Sequence, residues 1–294
     1  MAETTYKRRI GDRKEGRQIR SLSAFNKFIP YIMVKRNDAC NFFEDSVEIT
    51  EIDRWLRAKR AEGWKGIGML HLFIAAYIRV ASQCPYINRF IGGQKIFARN
   101  TIEVVMAVKR GLSTDASETT IKVEFEPTDT VFDVYRKFNA VIDEIKADTG
   151  DNGTEKAANA LCRLPGLFLK FAVWLLNLLD YFDLLPKALL GASPFHGSMI
   201  ITDLGSLGIP PIYHHIYNFG NLPVFIAFGA KRREYAVAAD GSVVEKKYID
   251  YTVVSDERIC DGHSYATAFK YMKYFMRKPE LLEQSPDHVE EDIF

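Results

Sequence analysis

Residues 255–263 concentrate ionisable side chains, and these are the residues best suited to chemistry: Asp256, Glu257, Arg258, Cys260, Asp261 and His263. A carboxylate or an imidazole held beside a reacting group can take its proton, so Glu257 and His263 are candidate general bases. Loops that rigid elements hold in place are common sites of binding and catalysis. We therefore expect the functional site of this protein to include the 255–263 loop.

Two well-signalled elements must position this loop. Residues 247–254 form a β-branched and aromatic run that is typical of a buried strand. Beyond the loop, apolar residues recur at helical spacing: Tyr265, Phe269, Met272, Phe275 and Met276. Asp261 and Gly262 form the tight corner between strand and helix. Asp261 is also suited to capping a helix that begins near His263, which is compatible with a role in holding the loop.

Composition narrows the class of protein. The chain has 294 residues, of which 47% are hydrophobic, enough for a sizeable core, and its net charge of +1 gives no argument for a nucleic-acid partner. The four cysteines are too widely spaced for a disulfide framework or a zinc site, and His196, His214 and His215 lack the spacing of metal ligands. We expect no metal and, without a signal-peptide pattern, a cytoplasmic location.

The pattern along the chain predicts an α+β fold. Helices are expected over 50–62, 69–83 and 130–145, and a hairpin over 87–98 turns at Gly92-Gly93. Strands are expected at 28–34, 102–109, 121–125, 198–202, 213–217, 224–230, 235–239 and 243–254. Residues 148–153 are polar and mark a break. This order favours a largely β sheet with helices packed on one side.

Residues 161–190 form an unusually apolar stretch, bounded by Pro165 and Pro186 and interrupted by Lys170, Asn177 and Asp180. The stretch falls short of the ~20 continuous apolar residues that a membrane span needs. Burial in the core or at an interface is the favoured expectation. A hydrophobic substrate tunnel and contact of 164–190 with a membrane surface are the alternatives.

Three segments, in this order, resemble a known family: 198–205 (SMIITDLG), 221–229 (NLPVFIAFG) and 255–262 (SDERICDG). The chain is similar to the catalytic domain of the acyltransferase component of 2-oxo acid dehydrogenase complexes, and to chloramphenicol acetyltransferase. In the N-terminal half, 85–88 (PYIN) and 106–112 (MAVKRGL) agree with the same resemblance. It covers roughly residues 18–147 and 196–284, and implies the mixed sheet with packed helices of the chloramphenicol acetyltransferase-like fold.

The resemblance also places the reacting groups. In the family motif, Asp-His-Arg-x-x-Asp-Gly or His-His-x-x-x-Asp-Gly, the histidine four residues before the aspartate is the general base, and Glu257 stands at that position here. A carboxylate with an ordinary pKa of ~4.3 is a poor base for a thiol of pKa ~8.5, a gap of ~4 units or ~5–6 kcal/mol. Glu257 therefore has three interpretations: it replaces histidine as the general base, it binds a charged group of the substrate, or it indicates that the site has lost transferase activity. His263 is the alternative candidate for the general base.

Other family positions are filled. Thr202 matches the hydroxyl residue that stabilises the oxyanion of the tetrahedral intermediate, Asp261 the structural aspartate, and Arg258 the arginine of the motif. At a strand end, Thr202 is also an ordinary β residue. The resemblance assigns no residue of this chain to CoA binding.

Two functions follow from the resemblance. The first is a stand-alone CoA-dependent acyltransferase, with acyl-CoA as substrate and a small thiol, hydroxyl or amine as acceptor. The second is an impaired member that binds acyl-CoA or serves as a trimeric assembly protein. Similar proteins are homotrimers with the active site between subunits. We expect an arm (1–20), one catalytic domain (21–284) with a hydrophobic insert at about 150–195, an acidic tail (285–294), and no lipoyl group on this chain.

Overall fold

A six-stranded mixed sheet organises the chain. The computed structural model describes residues 7–109, 118–147, 162–163 and 165–294. The strands in these ranges are β1 (Gly16–Gln18), β2 (Cys40–Glu48), β3 (Arg89–Gly92), β4 (Lys95–Arg99), β5 (Ile102–Lys109), β6 (Glu118–Phe125), β7 (Met199–Asp203), β8 (Val224–Val237) and β9 (Val243–Asp256). The main sheet has the order β2-β9-β8-β7-β5-β6, and β1-β4-β3 form a smaller sheet.

The pairing is antiparallel except at β7, which runs parallel to both β5 and β8. The helices are α1 (Ala24–Ile32), α2 (Thr50–Ala61), α3 (Met69–Gln83), α4 (Val131–Ala147), α5 (Gly166–Tyr181), α6 (Lys187–Ala192) and α7 (Gly262–Arg277). The predicted α+β class is confirmed.

The core lies between one face of the main sheet and α3. Because side chains alternate along a strand, every second residue of β7, β8 and β9 faces this helix. Phe73 of α3 stacks on Phe228 of β8 with ring centroids 4.7 Å apart and meets Tyr251 of β9 edge-on at 5.6 Å. All three are buried. Aromatic contacts of this kind fix the helix against the strands whose ends carry the 255–263 loop.

The predicted helix over 69–83 is found, and so is the hairpin over 87–98, although its turn is Gly93-Gln94 and not Gly92-Gly93. The predicted strand at 28–34 is wrong. This segment belongs to α1, which starts where the Ser23 hydroxyl accepts the Asn26 N–H at 3.2 Å. Pro30, which lacks the N–H that a strand ladder needs, is the one buried residue of α1. Its apolar pattern therefore belongs to a surface helix.

The predicted strand at 213–217 is also wrong. Residues 211–217 form no ladder with the strands of the sheet. They lie over the second face of the main sheet, where Ile216 packs with Phe225 and Val254, and the Thr252 hydroxyl donates to the Ile212 carbonyl at 2.7 Å. The predicted break at 148–153 lies outside the described residues.

Most of the apolar stretch forms α5, which no described part of the chain buries, whereas Leu185 and Leu190 beyond this helix are buried. None of the residues of α5 is classed as buried, so the expectation of burial in the core is wrong. Its side chains are exposed because the helix stands away from the main sheet and is held at its C-terminal end. Within the described ranges, no helix combines the length and the apolar character needed to cross a membrane.

Candidate functional site

The loop between β9 and α7 is held by a buried ion cluster centred on Asp256. The Arg258 guanidinium donates twice to this carboxylate, Nε to Oδ1 and Nη2 to Oδ2, both at 2.7 Å. Arg36 donates from Nε to Oδ2 at 3.3 Å. Side chains of all three are at most 5% exposed. Arg258 is thus committed to Asp256, and its guanidinium holds the loop.

The same cluster joins the loop to the end of α1. Arg258 Nη1 donates to the backbone carbonyls of Met33 at 2.9 Å and Val34 at 3.2 Å, and Arg36 Nη1 donates to the Tyr217 carbonyl at 2.8 Å. Burial lowers the pKa of Arg36, and the nearby Asp256 carboxylate opposes that shift. Charged groups buried this deeply stay in place only while each keeps its partner.

Glu257 lines a cavity of about 220 Å³ between this loop and α1. Its backbone N–H donates to the Ala39 carbonyl at 2.9 Å, and the residue is half-buried. Facing residues of the cavity are Phe25, Asn26, Ile29 and Asn41. Cys260 also lines it, but burial raises the pKa of this thiol to about 12, so it stays protonated at neutral pH and is a poor nucleophile.

A second cavity, of about 520 Å³, adjoins the first through Asn41 and Gly262. Aromatic rings form much of its wall, with Phe43 and Phe269 stacked at 5.3 Å. Lys270 lines the cavity and is exposed. The larger cavity is therefore mostly aromatic, and it adjoins the smaller cavity that Glu257 lines.

Asp261 caps α7, as its position before an apolar helical pattern predicts. Its Oδ1 accepts the backbone N–H of Ser264 at 2.8 Å. This hydrogen bond holds the pKa of Asp261 below its ordinary value. His263 lies in the first turn of α7 with an exposed side chain and does not line the Glu257 cavity. The structure therefore gives Asp261 a role in holding the loop and leaves the His263 side chain outside the Glu257 cavity.

Thr202 lies far from Glu257 in the same chain. On the main sheet Thr202 pairs with Ala227, which pairs with Thr252. Glu257 follows five residues later, beyond the end of β9, which is roughly 17 Å further along at ~3.4 Å per residue. Glu257 and Thr202 are thus separated by this distance along the strands and by the width of β8 across the sheet, and one copy of the chain does not bring them together.

Comparison with solved structures identifies the architecture. A probable dihydrolipoamide acetyltransferase from Listeria monocytogenes matches with a TM-score of 0.56 and 14% identity, over 88% of this chain and 94% of that chain. A dihydrolipoamide acetyltransferase from Azotobacter vinelandii also gives 0.56, with 12% identity over 96% of each chain. A chloramphenicol acetyltransferase matches with 0.50 and 14% identity, over 86% of this chain and 94% of that chain.

The chain has the chloramphenicol acetyltransferase-like fold. At these identities the likeness establishes the fold alone. No protein-family model and no curated protein sequence matches the chain. The resemblance inferred from 198–205, 221–229 and 255–262 is therefore confirmed at the level of architecture.

Within this chloramphenicol acetyltransferase-like fold, sequence reasoning missed one wall of the cavity. Phe25, Asn26 and Ile29 line the cavity from α1, whereas the apolar pattern predicted a strand over 28–34 and no element over 21–27. A local signal existed in Ser23, whose side chain caps the helix three residues before Asn26. In the described part of the chain no three His, Cys, Asp or Glu side chains are grouped to hold a metal ion.

The Asp261 cap gives a testable pH dependence. Asp261→Ala is expected to lower the free energy of unfolding by about 1 kcal/mol, whereas Asp261→Asn keeps an acceptor and most of the stability. Because the pKa is lower in the folded chain, the ionised carboxylate stabilises the fold above the unfolded pKa of 3.8. That contribution is lost as the pH falls through the folded pKa.

Urea unfolding of the native chain and both variants between pH 3 and pH 7 measures this effect. The stability difference between the native chain and Asp261→Asn should shrink at the acidic end of the range. A difference that stays constant with pH would show that the carboxylate does not act as the cap.

Proposed function

We propose that this protein is a stand-alone CoA-dependent acyltransferase that moves an acyl group from acyl-CoA to a small thiol, hydroxyl or amine. The observation that carries the proposal is the position of Glu257. The sequence resemblance assigns Glu257 to the family's base position, and this residue lines a cavity in a chain with the chloramphenicol acetyltransferase-like fold. The adjoining aromatic cavity suits an acyl chain or the pantetheine arm, and Lys270 suits a phosphate of CoA.

The reaction balances with Glu257 as a proton shuttle. The carboxylate takes the proton from the acceptor as the acceptor's sulfur, oxygen or nitrogen attacks the thioester carbonyl. The tetrahedral intermediate then collapses, the carbon–sulfur bond breaks, and the CoA thiolate takes the proton back from Glu257. Because a carboxylate is a weak base, the transfer depends on the bound acceptor, whether amine or hydroxyl, being already oriented for attack.

The oxyanion of that intermediate needs a donor, for which we propose Thr202 of a second copy. Glu257 and Thr202 are well separated within one chain, so a complete site requires the loop of one subunit to face Thr202 of another. The resemblance implies this arrangement in a homotrimer, and among the structural matches is the cubic core of a pyruvate dehydrogenase complex, with a TM-score of 0.51.

The trimer is directly measurable. Light scattering should give about three times the 33.5 kDa of one chain. Mixing Glu257→Gln chains with Thr202→Ala chains, each inactive alone, should restore about a quarter of the sites if each site joins two copies of a cyclic trimer. The mixture could form trimers and stay inactive. In that case Glu257 and Thr202 either act within a single subunit, or one of the two has no role in the reaction.

A second function is favoured by one specific observation, the carboxylate where the family carries histidine. In this alternative the protein binds acyl-CoA or acts as an assembly protein without turnover. The cavities and the ion cluster around Asp256 serve such a binding protein equally well, because neither depends on proton transfer.

Release of free thiol from acetyl-CoA and longer acyl-CoAs, with a panel of thiol, hydroxyl and amine acceptors, separates the two. Calorimetry with the same acyl-CoAs measures binding. Acceptor-dependent thiol release supports the enzyme, and binding without release supports the alternative. If the protein neither binds acyl-CoA nor releases thiol, the acyltransferase function and the acyl-CoA-binding function are both contradicted.

A further inference from the structure

Helix α5 is fixed to the protein at one end by polar contacts. Arg13 Nη2 donates to the Asp180 carboxylate at 2.6 Å, and the Lys14 ammonium donates to the Asp183 carbonyl at 2.7 Å. His196 Nε2 lies 3.4 Å from Asp180 Oδ2. Burial would raise the pKa of Asp180, but the hydrogen bond with His196 and nearby cations hold it below its ordinary value. These contacts set the direction in which the helix projects.

The turn after β3 also fits closely against the end of α5. A Cβ on Gly93 would lie 2.7 Å from the Tyr181 carbonyl oxygen, so only glycine fits there. Gln94 then joins two elements: its Oε1 accepts from the Tyr181 hydroxyl at 3.1 Å, and its Nε2 lies 3.5 Å from the Pro30 carbonyl of α1. The C-terminal end of α5 and helix α1 are therefore neighbours on the surface.

Both helices present large apolar side chains to solvent. On α5 and the residues directly after it these are Leu167, Phe168, Phe171, Val173, Trp174, Leu175, Leu178, Tyr181, Phe182 and Leu184. On α1 and its C-terminal extension they are Phe25, Phe28, Tyr31, Ile32 and Val34. Contiguous apolar exposure on this scale marks a binding surface. We call the exposed residues of 7–35, 162–163 and 165–190 together the α1/α5 surface.

This surface is also strongly basic. Residues 7–35 contain nine Lys or Arg and two Asp or Glu, and 162–190 contain three and two, in a chain with net charge +1. Each of the four acids has a basic partner within 3.6 Å: Arg20 for Asp12, Arg99 for Glu15, Arg13 for Asp180 and Arg8 for Asp183. The exposed charges that surround the apolar side chains are therefore predominantly positive, including Lys27, Lys35, Lys170 and Lys187.

We propose that the α1/α5 surface binds the surface of a bilayer rich in anionic phospholipids. Aromatic and aliphatic side chains on a helix rimmed by Lys and Arg are the pattern of a helix that lies in the headgroup region. At 16 residues, α5 is about 24 Å long, too short to cross a bilayer. An isologous contact with a second copy through this surface would bring like charges together, which disfavours that form of self-association.

Sedimentation with unilamellar vesicles tests the proposal. The native chain should bind vesicles of phosphatidylcholine containing phosphatidylglycerol more tightly than vesicles of phosphatidylcholine alone. Leu167→Glu/Phe171→Glu should weaken that binding by about 100-fold, since each exposed apolar side chain it replaces enters the bilayer boundary. Lys170→Gln/Lys187→Gln should weaken binding about fivefold per charge removed.

The chain offers a matched control at the tip of the β8–β9 hairpin. Val237 and Val243 are as exposed as the replaced residues, at 75% and 68%, so Val237→Glu/Val243→Glu adds the same charge elsewhere and should leave vesicle binding unchanged. Trp174 emission should shift to the blue with anionic vesicles, and Trp174→Ala should remove the shift. Because α5 has no buried residue, the α5 variants should keep the native circular dichroism spectrum.

Three results would overturn the proposal. One is the absence of binding to either kind of vesicle. Another is equal loss of binding in the α5 and hairpin variants. A third is a drop in oligomer mass on Leu167→Glu/Phe171→Glu without vesicle binding, which would make the surface a contact between copies. None of these measurements depends on acyl transfer.

Discussion

Replacing Glu257 by Gln is expected to lower kcat/KM for acyl transfer by at least about 100-fold, the usual contribution of a general base. Gln keeps the size of the side chain and removes its capacity to take a proton. The backbone N–H of residue 257 still donates to the Ala39 carbonyl, so the loop keeps its path. Thiol release measured with each acyl-CoA, beside acyl-CoA affinity by calorimetry, separates lost chemistry from lost binding.

Two further variants make the Glu257 prediction decisive. His263→Gln should retain activity, because this side chain is exposed and does not line the cavity. Glu257→His places an imidazole, whose pKa is near neutrality, where the family carries one. Turnover only in Glu257→His would favour the acyl-CoA-binding function, and an unchanged rate in Glu257→Gln would place the base elsewhere.

Replacing Asp256 by Ala is expected to destabilise the protein by about 4 kcal/mol. The substitution leaves the buried guanidiniums of Arg36 and Arg258 without their carboxylate, and an uncompensated buried charge costs ~3–5 kcal/mol. Asp256 is 1% exposed and carries three hydrogen bonds from these two side chains. Denaturant unfolding gives the free-energy change.

Asp250→Ala is the matched control for that prediction. Asp250 also meets an arginine through two hydrogen bonds, from Arg232 at 2.6 Å and 2.9 Å, but its side chain is 35% exposed. Exposed ion pairs contribute less than about 1 kcal/mol. If Asp256→Ala and Asp250→Ala lower the free energy of unfolding equally, burial does not determine how much the Asp256 cluster contributes to stability.

The sequence by itself determined those elements for which apolar spacing, turn residues and capping residues in the same segment indicate the same structure. Residues 69–83 have an apolar stripe ended by Pro85, and α3 occupies these residues. Gly92-Gly93 predicts a hairpin, and β3 and β4 form one with its turn one residue later, at Gly93-Gln94. Asp261 before a helical pattern predicts a cap, and its side chain accepts the Ser264 N–H. In each case the interactions involved join residues close together in the chain, so the sequence pattern is sufficient.

Motif order also determined the architecture. The segments 198–205, 221–229 and 255–262 became β7, β8 and the end of β9 with its loop, which are adjacent in the main sheet. Each motif is weak alone, but their order constrains which strands pair. This is why the sequence predicted the fold although identity to the matched structures is only 12–14%.

Only the tertiary structure decided the remaining features, because they depend on partners distant in sequence. The apolar run at 28–34 suits a strand or a helix, and contacts of Arg258 with the Met33 and Val34 carbonyls show how the end of α1 is held. The direction in which α5 projects follows from hydrogen bonds donated by Arg13 and Lys14, more than 160 residues away. The separation of Glu257 from Thr202 follows from strand register, which motif spacing does not encode.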